Sequence, residues 1–441
     1  GDPVKVLNFA VDLAKLQSEL AKGAFFENCI QKYYLDNPHR ILLTLVPDPE
    51  MEQNETRRVR AELDRIKIGL SQSDIDQIKQ DAEALKRLQE TEEDVSCLPT
   101  LQREDIPPSV PIIKESASED ALSATLYNTT TSGIVYFAAA AGTGLLPAAL
   151  LPLAPFFCYA LSRMGTARRD YAEMAQRIDA YTGGVGLSTH ARTRFDGTGD
   201  CVPFISFNGK CLLRNREPMF NIIQELLHHS DFSNLTRLKS ILLEYRAGLE
   251  SMVIQSGHRL AISLAARNLS ATRMLSETWS GVHQLQTIKR LSDDITEQDL
   301  IALSGELTAI GKGLFTQANF RMALIGEAPA LTEARSCAKS IFDGFKPGEE
   351  DGFRAPDMAI DGGALREGWS TSSAVSFVAL AFETVRMAHE DAAVLAVISK
   401  MLRSMYLHRE IREKGGAYGG FALYSPEDGL FSFASYRDPH I

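Results

Sequence analysis

Residues 50–94 of the 441-residue chain combine dense mixed charge with apolar positions at Val59, Leu63, Ile66 and Leu70, then at Ile75, Ile78, Ala82, Leu85 and Leu88. Steps of three and four place each set on one face of a helix. Residues 69–73 separate the two runs, and Ser73 with Asp76 has capping-box spacing. The pattern therefore predicts a helical hairpin packed on its own narrow seam. Ahead of it, residues 4–34 read as helical, and Arg-Ile-Leu-Leu-Thr-Leu-Val at 40–46 reads as a strand ended by Pro47-Asp48-Pro49.

Beyond the hairpin, a Pro-containing extended segment at 98–111 leads into a long region of mixed strand and helix signals that runs to about residue 345. Strands are expected there at 134–140, 202–207 and 321–325, and helices at 145–164, 171–181, 218–228, 235–254 and 260–274. A Gly-rich, acidic linker at 346–368 precedes a last unit with a strand at 374–382, a helix over about 391–414 and a hairpin over 417–436.

Length changes this picture only by requiring more than one core, since 441 residues divide into two or three domains. Hydrophobic residues at 44% and charged residues at 23% are ordinary for a folded soluble chain. A formal charge of -11 argues against a general nucleic-acid binder, which concentrates Lys and Arg against phosphates. The six cysteines, Cys29, Cys97, Cys158, Cys201, Cys211 and Cys337, form no C-x-x-C pair, so a reducing compartment fits better than a zinc ribbon or a disulfide framework. The opening Gly-Asp-Pro shows neither a charged n-region nor an apolar h-region, and the chain reads as a segment excised from something longer.

Residues 121–162 carry no charge, and 133–161 is long enough on paper to span a bilayer. Pro147, Pro152 and Pro155 interrupt it, and much of the rest is Ala and Gly. A strand turning into a buried helix is expected, with no membrane partner.

Candidate chemistry concentrates near the end, in Leu407-His408-Arg409-Glu410-Ile411-Arg412-Glu413-Lys414-Gly415-Gly416-Ala417-Tyr418-Gly419-Gly420. A basic last helical turn complements the negative end of the helix dipole, and Gly415-Gly416 permits the left-handed backbone that stops a helix. Tyr418 follows Arg412 by six positions, so a cationic fork and a phenol converge where helix end meets strand, suited to a peptide carbonyl or an oxyanion. The plainer reading, a capped helix with a solvated charge run, stays open on the pattern alone.

Weaker candidates have structural explanations. His228-His229 with Asp231 lacks further spaced ligands and reads as a solvated turn. Gly183-Gly184-Val185-Gly186 follows a helix and lacks the Lys of a phosphate loop, so it reads as a turn. Ser188, His190 and Asp196 are hydrolase residue types, but triads are assembled by geometry rather than by closeness in sequence. His258, His283 and His389 read as core or surface residues.

The segment from Leu407, together with Ser435-Tyr436-Arg437-Asp438-Pro439, resembles the final domain of the presequence proteases, which are pitrilysin-like inverted-zincin metallopeptidases. Gly1-Asp2-Pro3-Val4-Lys5, Ser96-Cys97-Leu98-Pro99, Thr182-Gly183-Gly184, Ser256-Gly257-His258 and Trp279-Ser280-Gly281 extend the likeness over essentially the whole chain in matching order. The resemblance implies an α+β fold of pitrilysin-like α/β sandwich domains preceded by a helical hairpin linker. It divides the chain into the tail of a preceding α/β domain (1–48), the hairpin linker (49–97), a non-catalytic pitrilysin-like domain (98–345), a linker (346–368) and the start of a truncated final domain (369–441).

In that family two halves close around a peptide chamber, and zinc is held by an H-x-x-E-H motif plus a distant Glu, all in the first half. None of the nine histidines here has the required partner. The positions that correspond to the motif fall at about Phe156, Tyr159 and Ala160, which read as apolar packing.

The resemblance therefore implies a C-terminal half that binds no metal and depends on zinc held by an N-terminal catalytic half of the same polypeptide. Arg412 and Tyr418 carry its substrate and oxyanion contacts, Gly415, Gly416 and Gly419 adjoin the substrate, and the substrates are short unstructured peptides. The acidic balance favours basic ones. The implied compartment is the bacterial cytoplasm or an organelle matrix. The alternative is a non-catalytic homologue that keeps the clamshell for binding or assembly.

Overall fold

Helical periodicity governs residues 1–108, one of two compact units; the other is 109–441. The computed structural model describes the whole chain except residues 1–3, 6–8, 92–93, 95, 117–123, 196–197, 349–351, 357–364 and 441. Gly1-Asp2-Pro3, Asp196, the first residues of the uncharged stretch and much of the 346–368 linker thus lie outside the described residues.

The first unit holds α1 (Ala10–Ala21), α2 (Phe25–Ile30), which runs on into a π-helical turn at Gln31–Leu35, α3 (Met51–Gly69) and α4 (Gln72–Glu90). The single helix expected over 4–34 is broken at Gly23, whose φ of 132° only glycine adopts comfortably. The capping box forms two residues earlier than its spacing suggested. Ser71, at ψ 165°, caps α4, and its own N–H and the Asp74 N–H are satisfied by the Asp74 and Ser71 side chains respectively.

Neither α3 nor α4 buries a residue, so the expected seam is not packed, and Val59, Leu63, Ile66, Ile78, Leu85 and Leu88 stay exposed. Two extended residues, Leu70 and Ser71, join the helices. Residues 40–46 form no ladder among the described residues, with Ile41 93% and Leu42 94% exposed, because a strand pattern needs a neighbouring strand to become one.

In the second unit, β1 (Ala124–Asn128), β2 (Ile134–Gly142), α5 (Ala154–Leu161), β3 (Gly165–Thr166), α6 (Tyr171–Tyr181), β4 (Val185–Thr193), β5 (Cys201–Leu212), α7 (Arg216–His229), β6 (Ser230–Asp231), α8 (Leu235–Ala266), α9 (Ala271–Ser280), α10 (Val282–Ser292), α11 (Glu297–Leu314), β7 (Phe320–Gly326) and α12 (Ala328–Asp343) come first. They are followed by β8 (Ala379–Glu383), α13 (Ala392–Met401), a π-helix (Leu402–Lys414), β9 (Gly419–Ser425) and β10 (Leu430–Tyr436).

A five-stranded sheet runs β1-β7-β2-β5-β4, parallel only between β1 and β7. Its strands alternate: Val135, Phe137, Ala139 and Ala141 of β2 and Ile205 and Phe207 of β5 face the core, while Tyr136, Ala138, Phe204 and Ser206 face outward. Phe137 meets Phe207 and Phe220 edge to face at 6.0 and 5.7 Å. Each such fully buried ring stabilises the fold by about 2–3 kcal/mol.

The helix expected at 145–164 is shorter than its apolar run, because Pro147, Pro152 and Pro155 restrict the backbone and regular helix begins only at Ala154. All its residues except Tyr159 are buried, and that burial in the protein accounts for the lack of charge. No helix of the described residues is long and apolar enough to cross one.

The helices expected at 235–254 and 260–274 are joined as α8 through a break at Ser256, with φ -135° and ψ 29°. The second part ends at Ala266. A new helix starts at Ala271, where Ser270 Oγ accepts from Arg273 N–H.

A second sheet, β8-β10-β9, is antiparallel, with the π-helix and α13 against β9 and α8 against β8 and β10. The described part of 346–368 is stitched to the first sheet. Asn319 Oδ1 accepts from Gly352 N–H at 2.8 Å and Gly142 N–H at 3.2 Å, and Gly144 N–H donates to Gly352 O at 2.9 Å. Gly142 and Gly352 approach so closely that a Cβ on Gly142 would lie 2.1 Å from the Gly352 carbonyl carbon. The unit is mixed helix and sheet, as an α+β fold requires.

Candidate functional site around Arg412 and Tyr418

The helix that begins as α13 continues with π-helical turns through Leu402–Lys414, a rare geometry that recurs at functional sites. It stops where Gly416 takes φ 77°, with Gly416 N–H on Arg412 O at 3.2 Å and Ala417 N–H on Ile411 O at 3.1 Å. A Cβ on Gly415 would meet Ile411 O at 2.7 Å, so both glycines serve the helix end. Tyr418 N–H then donates to Tyr436 O at 3.0 Å and starts the β9–β10 ladder.

Arg412 and Tyr418 come together at this junction, the guanidinium carbon 5.3 Å from the ring centroid. They line a cavity of 440 Å³ with Gln255, Ser256, His258, Arg259, Arg403, His408, Gly419, Gly420, Phe421 and Tyr436. Gly419 is therefore at the cavity wall, whereas Gly415 and Gly416 are not among its lining residues.

The opposite wall is the break in α8. Tyr436 OH donates to Gln255 O, a carbonyl beside the non-helical Ser256, at 3.2 Å. His258 stacks on Phe421 at 5.1 Å and meets Tyr436 edge-on at 4.8 Å, and its buried Nδ1 has no hydrogen-bond partner among the described residues. Burial first, then the Arg259 charge, hold its pKa below the ordinary histidine value. A side chain on Gly257 would overlap Phe377, so helix and sheet touch through a glycine here.

His258, Arg259, Arg403 and Tyr436 were not singled out from the sequence as parts of one site. The Ser256-Gly257-His258 motif was the available signal, but it carried no distance to Arg412.

The other candidates separate. His228 is half-buried rather than solvated: its Nε2 meets Ile341 O at 2.9 Å and its ring packs on Phe345 at 4.7 Å. Ser188 and His190 lie on β4, where His190 Nε2 shares a hydrogen bond with Ser206 Oγ at 2.9 Å. Gly183–Gly186 turns the chain into β4, with Gly184 at φ 117°. His283 Nδ1 pairs with buried Glu277 at 2.9 Å, and His389 faces Asp391 at 3.6 Å.

Phe156, Tyr159 and Ala160, expected where the family's metal motif lies, are engaged in packing and hydrogen bonding. Phe156 and Ala160 are fully buried, Phe156 packs against Tyr245 at 5.5 Å, and Tyr159 OH donates to Glu244 at 2.6 Å. Among the described residues no group of three His, Cys, Asp or Glu is placed to hold a metal.

The family model for the region associated with peptidases of family M-16, subfamily C, matches residues 45–291, more than half of the chain. The chain belongs to this peptidase-associated family. The "PreP C-terminal domain" model matches residues 372–441, which hold Arg412 and Tyr418. Mitochondrial presequence proteases of Yarrowia lipolytica and Danio rerio are each 29% identical to this member of the family, over 100% of its chain and 44% and 45% of the relative. Protein HypA of Clostridium perfringens is 24% identical over 100% of this chain and 45% of the relative.

The chain thus spans about half the length of the curated relatives it matches. A conserved protein from Enterococcus faecalis V583 shares the fold, with a TM-score of 0.50 and 13% identity over 73% of this chain and 75% of that one. The likeness to presequence proteases that the sequence motifs carried is therefore shared by family models and relatives along the chain.

Proposed function

We propose that this chain is the C-terminal, non-metal-binding half of a zinc metalloendopeptidase that degrades short unstructured peptides. The observation that carries the reading is the pairing of Arg412 with Tyr418 at the wall of a peptide-sized cavity, in a segment matched by the PreP C-terminal domain. The packing of Phe156, Tyr159 and Ala160 supports a metal held elsewhere, in an N-terminal half of the same polypeptide. The soluble compartment proposed is an organelle matrix or the bacterial cytoplasm.

In this reading the guanidinium of Arg412 and the phenol of Tyr418 orient the peptide backbone and donate to the carbonyl oxygen that gains negative charge as the bond is cut. Gly419 and Gly420 keep the cavity wall low enough for a backbone to approach, while Gly415 and Gly416 set the direction of the chain into it. No step of the reaction is assigned to a metal on this chain.

The test uses the full-length protease. Arg412→Ala and Tyr418→Phe should each lower kcat by about 10²-fold, the usual cost of removing one oxyanion donor, while bound zinc stays near one per chain. Unchanged turnover in both variants removes them from the mechanism.

A further inference from the structure

The charge lining the Arg412 cavity is one-sided. Arg259, Arg403 and Arg412 contribute guanidiniums, and among the described residues no Asp or Glu lines it. Among the described residues, none of the three guanidiniums has a carboxylate partner, and none makes a side-chain hydrogen bond; Arg403 and Arg412 rest instead on the rings of Phe421 and Tyr418, at 5.0 and 5.3 Å. The nearby carboxylates are engaged along the helix: Glu413 with His408 at 3.3 Å, and Glu410 with Lys414 at 2.9 Å.

This cavity is opposite in sign to the chain, whose formal charge is -11. A concave site lined by one sign of charge focuses its field and collects the opposite charge. One developing oxyanion occupies the Arg412–Tyr418 pair; it leaves Arg259 and Arg403 without a counter-charge. The unpartnered Nδ1 of His258, between Phe421 and Tyr436, adds an unfilled polar atom in the same wall.

We infer that the cavity is a receptor for a peptide carboxylate, gripped by Arg259 and Arg403 in the same cavity that Arg412 and Tyr418 line. Planar guanidinium forks suit carboxylates, and the aromatic wall of Phe421 and Tyr436 packs the apolar part of the residue that bears it. The inference rests on the reading that this cavity holds substrate. It assigns to the site a preference for peptides with a free C-terminus or an acidic side chain, where the acidic net charge alone suggested basic ones.

The experiment measures fluorescence anisotropy of labelled unstructured decapeptides on this chain at low salt. One peptide has a free C-terminus and no acidic residue, one is amidated with no acidic residue, and two more are amidated with a single Glu or with Gln in its place. A carboxylate-bearing peptide should bind at least about 10-fold more tightly than its neutral counterpart, as charge-assisted pairing to guanidinium requires. In Arg259→Gln/Arg403→Gln the gap should close, and in the unsubstituted chain it should shrink as salt rises.

A gap for the free terminus alone identifies the chain end as the source, and a gap for Glu alone identifies the side chain. Equal binding of all four peptides, binding of none at millimolar concentration, a gap that survives both substitutions and salt, or tighter binding of inorganic phosphate than of any carboxylate peptide would overturn it. Loss of turnover in the Arg412 and Tyr418 variants alongside equal peptide binding sinks this inference alone, whereas a carboxylate gap with unchanged turnover sinks the catalytic reading alone.

Discussion

Glu277 shows how a single residue constrains the fold. It is 1% exposed, accepts from the His283 backbone N–H and from Nδ1, and its Oε2 has no partner among the described residues. Its carboxylate occupies the place where a side chain on Gly281 would go, 1.9 Å from an ideal Cβ. Gly281→Ala should therefore destabilise the chain by about 2 kcal/mol through overpacking and displacement of a buried charge. Gly305→Ala, in the middle of α11 with open space around it, should instead be neutral or stabilising by up to about 1 kcal/mol. Urea unfolding of the two variants checks both signs, and equal effects would contradict the packing account.

Residue-scale legibility followed sequence distance. Arg412, Gly415, Gly416 and Tyr418 were readable because helix end, glycine stop and strand start lie within one short segment. His258 and Arg259 were not, since only the break at Ser256 and the return of the last hairpin bring them to Arg412. Trp279 of the Trp279-Ser280-Gly281 motif is explained by structure alone: it is buried and its indole N–H donates to Leu151 O at 2.7 Å.

At the scale of elements, the β9–β10 hairpin is fixed at the end away from the cavity. Asp428 joins Arg273 at 2.6 Å and accepts from Thr193 Oγ1 at 2.5 Å, while Arg192 pairs with Glu427 at 3.1 Å. The Asp428 side chain is only 6% exposed, so Asp428→Ala leaves Arg273 without its counter-charge and should cost about 3 kcal/mol. Hydrogen exchange of the hairpin amides should accelerate by about 10²-fold if the hairpin opens by itself, and unchanged exchange would show the clamp to be idle.

A second clamp holds the segment before β8. Hydrogen bonds from Arg267, then from the Trp369 indole, pull the Glu367 carboxyl down to about 2. The native state therefore favours the ionised form, its contribution is complete above the ordinary carboxyl value, and it is lost as pH falls from about 4.5 towards 2. Glu367→Gln should flatten that part of the stability curve, with screening by solvent keeping the change small. An unaltered acid profile would contradict the clamp.

Strands buried on one face, such as β2 and β5, and the capped helix α6 were visible as period-two and period-3.6 patterns. The strand at 40–46 and the α3–α4 seam were visible as patterns too, yet nothing among the described residues of the first unit covers them. Pattern records which face needs burial, but the covering partner is a separate fact. The edge strands β1 and β4 were missed because mixed burial blurs alternation along them.

For the molecule as a whole, the central claim is that a chain covering about half of its relatives supplies substrate contacts and no metal chemistry. The decisive measurement is peptide hydrolysis by this chain alone, with and without added zinc, followed by the full-length protease carrying Arg412→Ala. The account predicts no turnover by the isolated chain in either condition, normal turnover by the intact protease, and about 10²-fold loss on substitution. Zinc-dependent hydrolysis by the isolated chain would contradict it.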